Sequence, residues 1–187
     1  MNILILDGFP ENSSSKLQAL LLEAQADPGV EYISLAKTAI KHCKGCFSCW
    51  LITPGECVIQ DAGNDVARKY INSDAVILLT PVTFGGYSSV LKKALDRMIP
   101  NICGLFTEYQ GETHHVRRYP KYPALVILGV QDTADKEGAE IFYELARRNS
   151  LNLYPTAMAS HVFSEATEME QLKADLESAL AQAGVSL

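Results

Sequence analysis

Four of the five cysteines, Cys43, Cys46, Cys49 and Cys57, fall within CKGCFSCWLITPGEC at gaps of two, two and seven residues. Thiolates so spaced can converge on one point, which makes metal or redox chemistry the first question. The residues alone leave several readings open. Zinc favours two separated Cys-x-x-Cys knuckles, and ferredoxin runs carry a gap of three before a Cys-Pro pair, so neither pattern is matched. A redox-active or modifiable thiol pair is a further reading. The plainest is packing of small apolar side chains in a loop shaped by Gly45, Trp50, Pro54 and Gly55. Cys103 lies outside the run and reads as structural.

Two other stretches carry complementary chemistry. Asp7-Gly8-Phe9-Pro10-Glu11-Asn12-Ser13-Ser14-Ser15 sets hydroxyls, an amide and main-chain N–H groups before an apolar helical pattern. Such a helix start favours a phosphate, although serines there also serve as plain caps. No Gly-Lys-Ser/Thr ending follows, so a nucleoside triphosphate is not indicated. Pro81-Val82-Thr83-Phe84-Gly85-Gly86-Tyr87 offers two glycines that let backbone approach a flat ring and aromatics to stack on it.

The elements that must position these stretches alternate between apolar strands and amphipathic helices. Strands are expected at residues 3–6, 30–35, 75–79, 124–130 and 153–159. Helical spacing joins Leu17, Leu20, Leu21 and Ala24, then residues 64–72, then Val90, Leu91, Ala94, Leu95 and Met98, then residues 134–148. A last helix is expected to open on a capping box, Thr167 to Glu170, and to end at Gly184. Residues 100–122 show no period and read as a long loop. This order predicts an α/β fold, a flavodoxin-like doubly wound five-stranded parallel sheet of order 2-1-3-4-5 with helices on both faces. In such a sheet ligands lie outside the carboxyl ends of strands one and three, where the two stretches fall.

A length of 187 residues with 48% apolar side chains suits one domain over residues 1–187. The net charge of -6 and the lack of a basic run point away from nucleic acid and anionic membranes and toward small-molecule partners. MNILILDGFP has no positive region before its short apolar run, so a cytoplasmic protein with reduced thiols is expected.

ILDGFPENSSSKLQALL, the cysteine segment, TPVTFGGYSSVLKKALDR and the later stretch bearing tyrosines and histidines resemble the NADPH-dependent FMN reductase branch of the flavodoxin superfamily, which includes iron–sulfur flavoproteins. The resemblance spans most of the chain and is most specific from Thr80 to Arg97. It implies FMN as cofactor, NAD(P)H as electron donor, and a small-molecule acceptor such as a quinone or free flavin; the alternative is a non-enzymatic electron carrier. It would place Pro81, Val82, Thr83, Phe84, Gly85 and Gly86 against the flavin ring, and Phe9, Pro10, Asn12, Ser13, Ser14 and Ser15 around the phosphate. Cys43, Cys46, Cys49 and Cys57 would hold a 4Fe-4S cluster. Phe9 and Glu11 depart from the serine and arginine common in that branch, and Glu11 cannot neutralise a phosphate. His114, His115, Arg117 and Arg118 would attract the phosphates of NADPH, or form a solvated surface or subunit contact. A homodimer or homotetramer is implied, with residues 43–57 and 100–122 as contact segments. No catalytic side chain is nominated.

Overall fold

In chain order the computed structural model, which describes all 187 residues, contains β1 (Ile3–Asp7), α1 (Lys16–Glu23), β2 (Val30–Ser34), α2 (Ser48–Leu51), α3 (Ala62–Asn72), β3 (Ala75–Pro81), α4 (Ser89–Leu95), β4 (Ile102–Tyr109), β5 (Glu112–Arg117), β6 (Ala124–Gln131), α5 (Lys136–Leu153), β7 (Met158–Ser164) and α6 (Met169–Gln182). Five strands form a parallel sheet of order β2-β1-β3-β6-β7, the flavodoxin-like winding expected from the sequence. The central strands are nearly continuous apolar runs because both sheet faces are covered. Side chains alternate between the faces: Ile3 and Ile5 join α1 and α6 through Leu17, Leu21, Leu172 and Leu176. Leu4 and Leu6 join α3, α4 and α5 through Val66, Tyr70, Leu91 and Phe142.

Residues 100–122 depart from the expected loop. They form an antiparallel hairpin of β4 and β5, turned at Gln110 (φ +53°) and Gly111 (φ +79°) and irregular between Ile102 and Phe106. Its strands show no hydrophobic alternation because half of β4 is exposed in one run, Leu105, Phe106, Thr107 and Glu108 in succession. The fifth sheet strand is Met158–Ser164, not residues 153–159. Helix α5 runs on through buried Leu151 and stops only where Tyr154 turns left-handed (φ +51°) ahead of Pro155. Arg147 and Arg148 consequently sit inside that helix and pair with Glu144 and Glu112 instead of closing its last turn. Glu168, not Thr167, stands at the cap of α6, and its side chain makes no capping bond.

Parallel strands put every carboxyl end on one edge of the sheet, so residues 7–15 after β1 and 81–87 after β3 emerge side by side. The hairpin packs at the other end. It meets the last turns of α5 through Glu112–Arg148 at 2.6 Å and His114 Nδ1···Asn152 Oδ1 at 3.1 Å. The excursion between β2 and α3 lies against it, Trp50 Nε1 donating to Ile102 O at 3.0 Å.

Candidate functional site

The first bend rests on Asp7, which is 2% exposed at the end of β1. Its carboxylate accepts the Phe9 N–H at 2.9 Å and Gln18 Nε2 at 2.7 Å, which fixes the turn leaving the strand. Burial, then the charge of Asp7, push the neighbouring Tyr32 phenol above its usual range. Phe9 is buried in the core. Ser15 caps α1, its Oγ accepting the Gln18 N–H at 2.9 Å, and Ser13 Oγ donates to Pro10 O at 2.9 Å. The side chains of Asn12 and Ser14, and the N–H groups of Asn12, Ser14 and Ser15, engage no protein partner. Residues 10–14 are exposed, Glu11 among them.

In the second bend Thr83 and Gly86 exchange two main-chain hydrogen bonds, at 2.9 and 2.8 Å, around Phe84 (φ +49°) and Gly85 (φ +73°). Two left-handed residues in succession make a type I′ turn. A left-handed non-glycine residue costs about 1 kcal/mol. Phe84 nevertheless adopts it and stands fully out in solvent. The N–H groups of Phe84 and Gly85 have no protein acceptor. Pro81 and Val82 are half-buried beneath the tip, and the Val82 N–H continues the sheet to Val130 O at 2.8 Å.

One junction locks the two bends together. The Gly8 N–H donates to Leu79 O at 2.8 Å and Ser88 Oγ donates to Gly8 O at 2.6 Å. The Ser88 N–H reaches Thr80 Oγ1 at 2.9 Å, while its hydroxyl also caps α4. Gly8 is required there, since a Cβ would fall 2.6 Å from Leu91 Cβ. The junction sets the two bends side by side, while Phe9 is buried in the core with its N–H held by Asp7. Sequence reading missed Asp7, Gln18, Thr80 and Ser88; the one available signal was Ser88 standing before a helical pattern. The bends form an open shelf. Cavities of about 350 Å³ beside Cys57, Asn64 and Tyr119 and about 640 Å³ beside Trp50, Leu105 and Phe106 are lined by neither bend.

The cysteine segment packs against the hairpin and does not form the expected metal centre. No three cysteine, histidine or acidic side chains are placed to hold a metal ion. Left-handed Phe47 starts the single turn α2 and leaves Cys46 in solvent, while Cys43 and Cys49 are half-buried and Cys57 is buried. Hydrogen bonds from the Ser48 side chain and backbone hold the Cys46 thiol below its usual range. Burial, then the thiols of Cys57, Cys43 and Cys46, push Cys49 up. The four thiols therefore share a neighbourhood without sharing a ligand position.

The basic groups of the hairpin are likewise occupied by the fold. His114 is buried between Asn152 and Glu112. His115 packs between Trp50 and Phe106, each ring centroid 4.6 Å away. The Arg117 guanidinium lies 5.3 Å from the Tyr154 ring centroid, and Arg118 donates to Pro100 O and Ile102 O at 2.8 and 3.2 Å.

Residues 1–116, which include both bends and the cysteine segment, match the family described as NADPH-dependent FMN reductase. An iron–sulfur flavoprotein from Methanocaldococcus jannaschii is 38% identical over 93 residues, 49% of this chain and 47% of its own length. The match spans about half the length of that curated relative. Among solved structures, an FMN-dependent NADH-azoreductase from Bacillus anthracis in complex with FMN superposes with TM-score 0.62 at 14% identity, over 98% of this chain and 100% of that one. An NAD(P)H:quinone oxidoreductase from Methanothermobacter marburgensis gives 0.61 at 15% identity, over 94% and 92%. At these identities the structural likeness speaks to fold alone.

Proposed function

Because the chain belongs to the NADPH-dependent FMN reductase family, we propose that it is an FMN-dependent oxidoreductase taking hydride from NAD(P)H and passing electrons to a small acceptor such as a quinone or free flavin. The carrying observation is the locked pair of bends, each presenting main-chain N–H groups that no protein atom accepts. Those donors fit a ligand that is anionic at one end and flat at the other. Asn12, Ser13, Ser14 and Ser15 would hold the phosphate, with Phe9 and Pro10 shaping the bend beneath. Pro81, Val82, Thr83, Phe84, Gly85 and Gly86 would line the ring. Bound FMN supplies two-electron chemistry that no side chain of this shelf can perform. The N–H groups of Phe84 and Gly85, which no protein atom accepts, would favour negative charge on a ring held there. Glu11 turns outward, and residues 1–187 act as one FMN-binding domain.

Anaerobic mixing with NADH and with NADPH, followed by flavin absorbance, tests this reading: at least one nicotinamide is expected to bleach the flavin. If neither does, the oxidoreductase reading fails and the electron-carrier alternative stands. Replacing Asn12 and Ser14 together with alanine is expected to weaken FMN binding at least tenfold, since hydrogen bonds to a charged group are worth about 1.5–3 kcal/mol each. Neither side chain holds the fold, so the melting temperature should stay within about 2 °C. Unchanged FMN binding would reduce the first bend to a helix cap.

The same reading includes self-assembly into a homodimer or homotetramer. Phe47, Leu51, Ile52, Leu105 and Phe106 are 53–79% exposed, on the cysteine excursion and on the β4 strand packed against it. A shared apolar surface of this kind suits a second copy. Glutamate at both Leu105 and Phe106 is expected to shift the protein to monomer in size-exclusion chromatography with light scattering; an unchanged mass places the contact elsewhere.

A further inference from the structure

We propose that Glu165 weakens this chain's preference for FMN over phosphate-free flavin by holding its carboxylate where the phosphate would sit. The proposal rests on the reading of the first bend as a phosphate seat. Glu165 lies in the bend between β7 and α6, 149 residues from α1, yet its Oε2 accepts the Lys16 N–H at the first turn of that helix at 3.4 Å. The placement is built. The Glu165 N–H donates to Gln131 O at 2.9 Å, and Lys16 Nζ donates to Thr167 O at 3.0 Å, so both helix and sheet anchor this bend.

The first turn of α1 carries no acidic residue of its own, so Glu165 is the anion that complements its dipole. The Lys16 ammonium is turned to the Thr167 carbonyl, and neither bend of the shelf contains an arginine. Exposed Glu11 adds a second carboxylate on the first bend. A phosphate reaching the N–H groups of Ser14 and Ser15 would meet this carboxylate at the next N–H group along, where it already accepts from Lys16. Part of what the N–H groups would contribute is then lost, and the flavin becomes exchangeable.

The test is the ratio of FMN to riboflavin affinity, read by flavin fluorescence quenching in the wild type, Glu165→Gln and, as a charge control, Glu168→Gln. Glu165→Gln is expected to tighten FMN about three- to tenfold, the range a charge at a helix end can supply, with riboflavin unchanged. Glu168→Gln should leave both as in the wild type. A ratio unmoved by Glu165→Gln, with both flavins bound, overturns the inference while leaving the shelf intact. An equal gain from both variants also overturns it, because net charge and not the helix end would then be responsible. If the wild type binds neither flavin, the proposed function itself fails and the inference falls with it.

Discussion

Replacing Arg97 with methionine is expected to lower the melting temperature by roughly 6–20 °C, since orphaning one partner of a buried ion pair costs about 3–5 kcal/mol and each of these moves a chain of this size by about 2–4 °C. Arg97 follows α4, is 2% exposed, and pairs with Asp61 Oδ2 at 2.9 Å. The same guanidinium donates to Lys41 O at 2.9 Å and Ile59 O at 3.0 Å, so one side chain ties both feet of the cysteine excursion to the core. Asp61 in turn accepts the Lys41 N–H and the Gly63 N–H, both at 2.8 Å, and so caps α3. Gly63 leaves room for this clamp, because a Cβ there would fall 2.9 Å from the guanidinium carbon. Burial works against the Asp61 charge, but Arg97 and the two N–H groups outweigh it and hold the carboxyl below its ordinary range. A lowered folded pKa contributes stability that is fully present above the unfolded value of about 3.9 and is lost as pH falls through the folded one. The penalty for Arg97→Met should therefore be complete at neutral pH and shrink in acid. Thermal melts of Arg97→Met, Asp61→Asn and the double variant check this, the double costing clearly less than the sum. A loss below about 2 °C at pH 7 would sink the clamp.

Gly85→Ala is expected to reduce flavin affinity at least tenfold while lowering stability by only about 1–2 kcal/mol. Gly85 sits at φ +73°, and a Cβ there would meet Ile141 Cγ2 at 2.6 Å and Ile141 Cβ at 2.8 Å. The second of these atoms is fixed to the α5 backbone, so the turn must give way and carry Phe84 with it. Gly111→Ala is the control: its φ is +79°, with nothing within 4 Å of a Cβ. It bears the same backbone penalty in the hairpin, far from the shelf, and should leave flavin titrations unchanged. Equal flavin binding by the two variants would remove the second bend from the site.

The parallel sheet was legible because its strands are nearly pure apolar runs between amphipathic helices, and the two bends because glycines and serines cluster where strands one and three end. The junction beneath them was not. Asp7 and Thr80 read as the first residues past strands one and three, and their partners Phe9, Gln18 and Ser88 become neighbours only through backbone geometry and the β1–β3 register. The hairpin was hidden because four successive residues of β4, Leu105 to Glu108, are exposed whatever their polarity, which erases the period of two. Cysteine spacing proved a weaker guide. It brings four thiols into one neighbourhood, but the left-handed turn at Phe47 leaves Cys46 in solvent while Cys57 is buried, and neither is visible in the spacing.

The hairpin leaves and rejoins the chain at nearly the same place. Tyr122 Oη donates to Asn101 O at 2.5 Å, and Arg118 Nε reaches back to Pro100 O, so the neck is stapled shut below the insertion. Lineages could therefore lengthen, trim or resurface this appendage without disturbing the sheet beneath it. Such a body can diversify its associations while the sheet and its two bends stay constant.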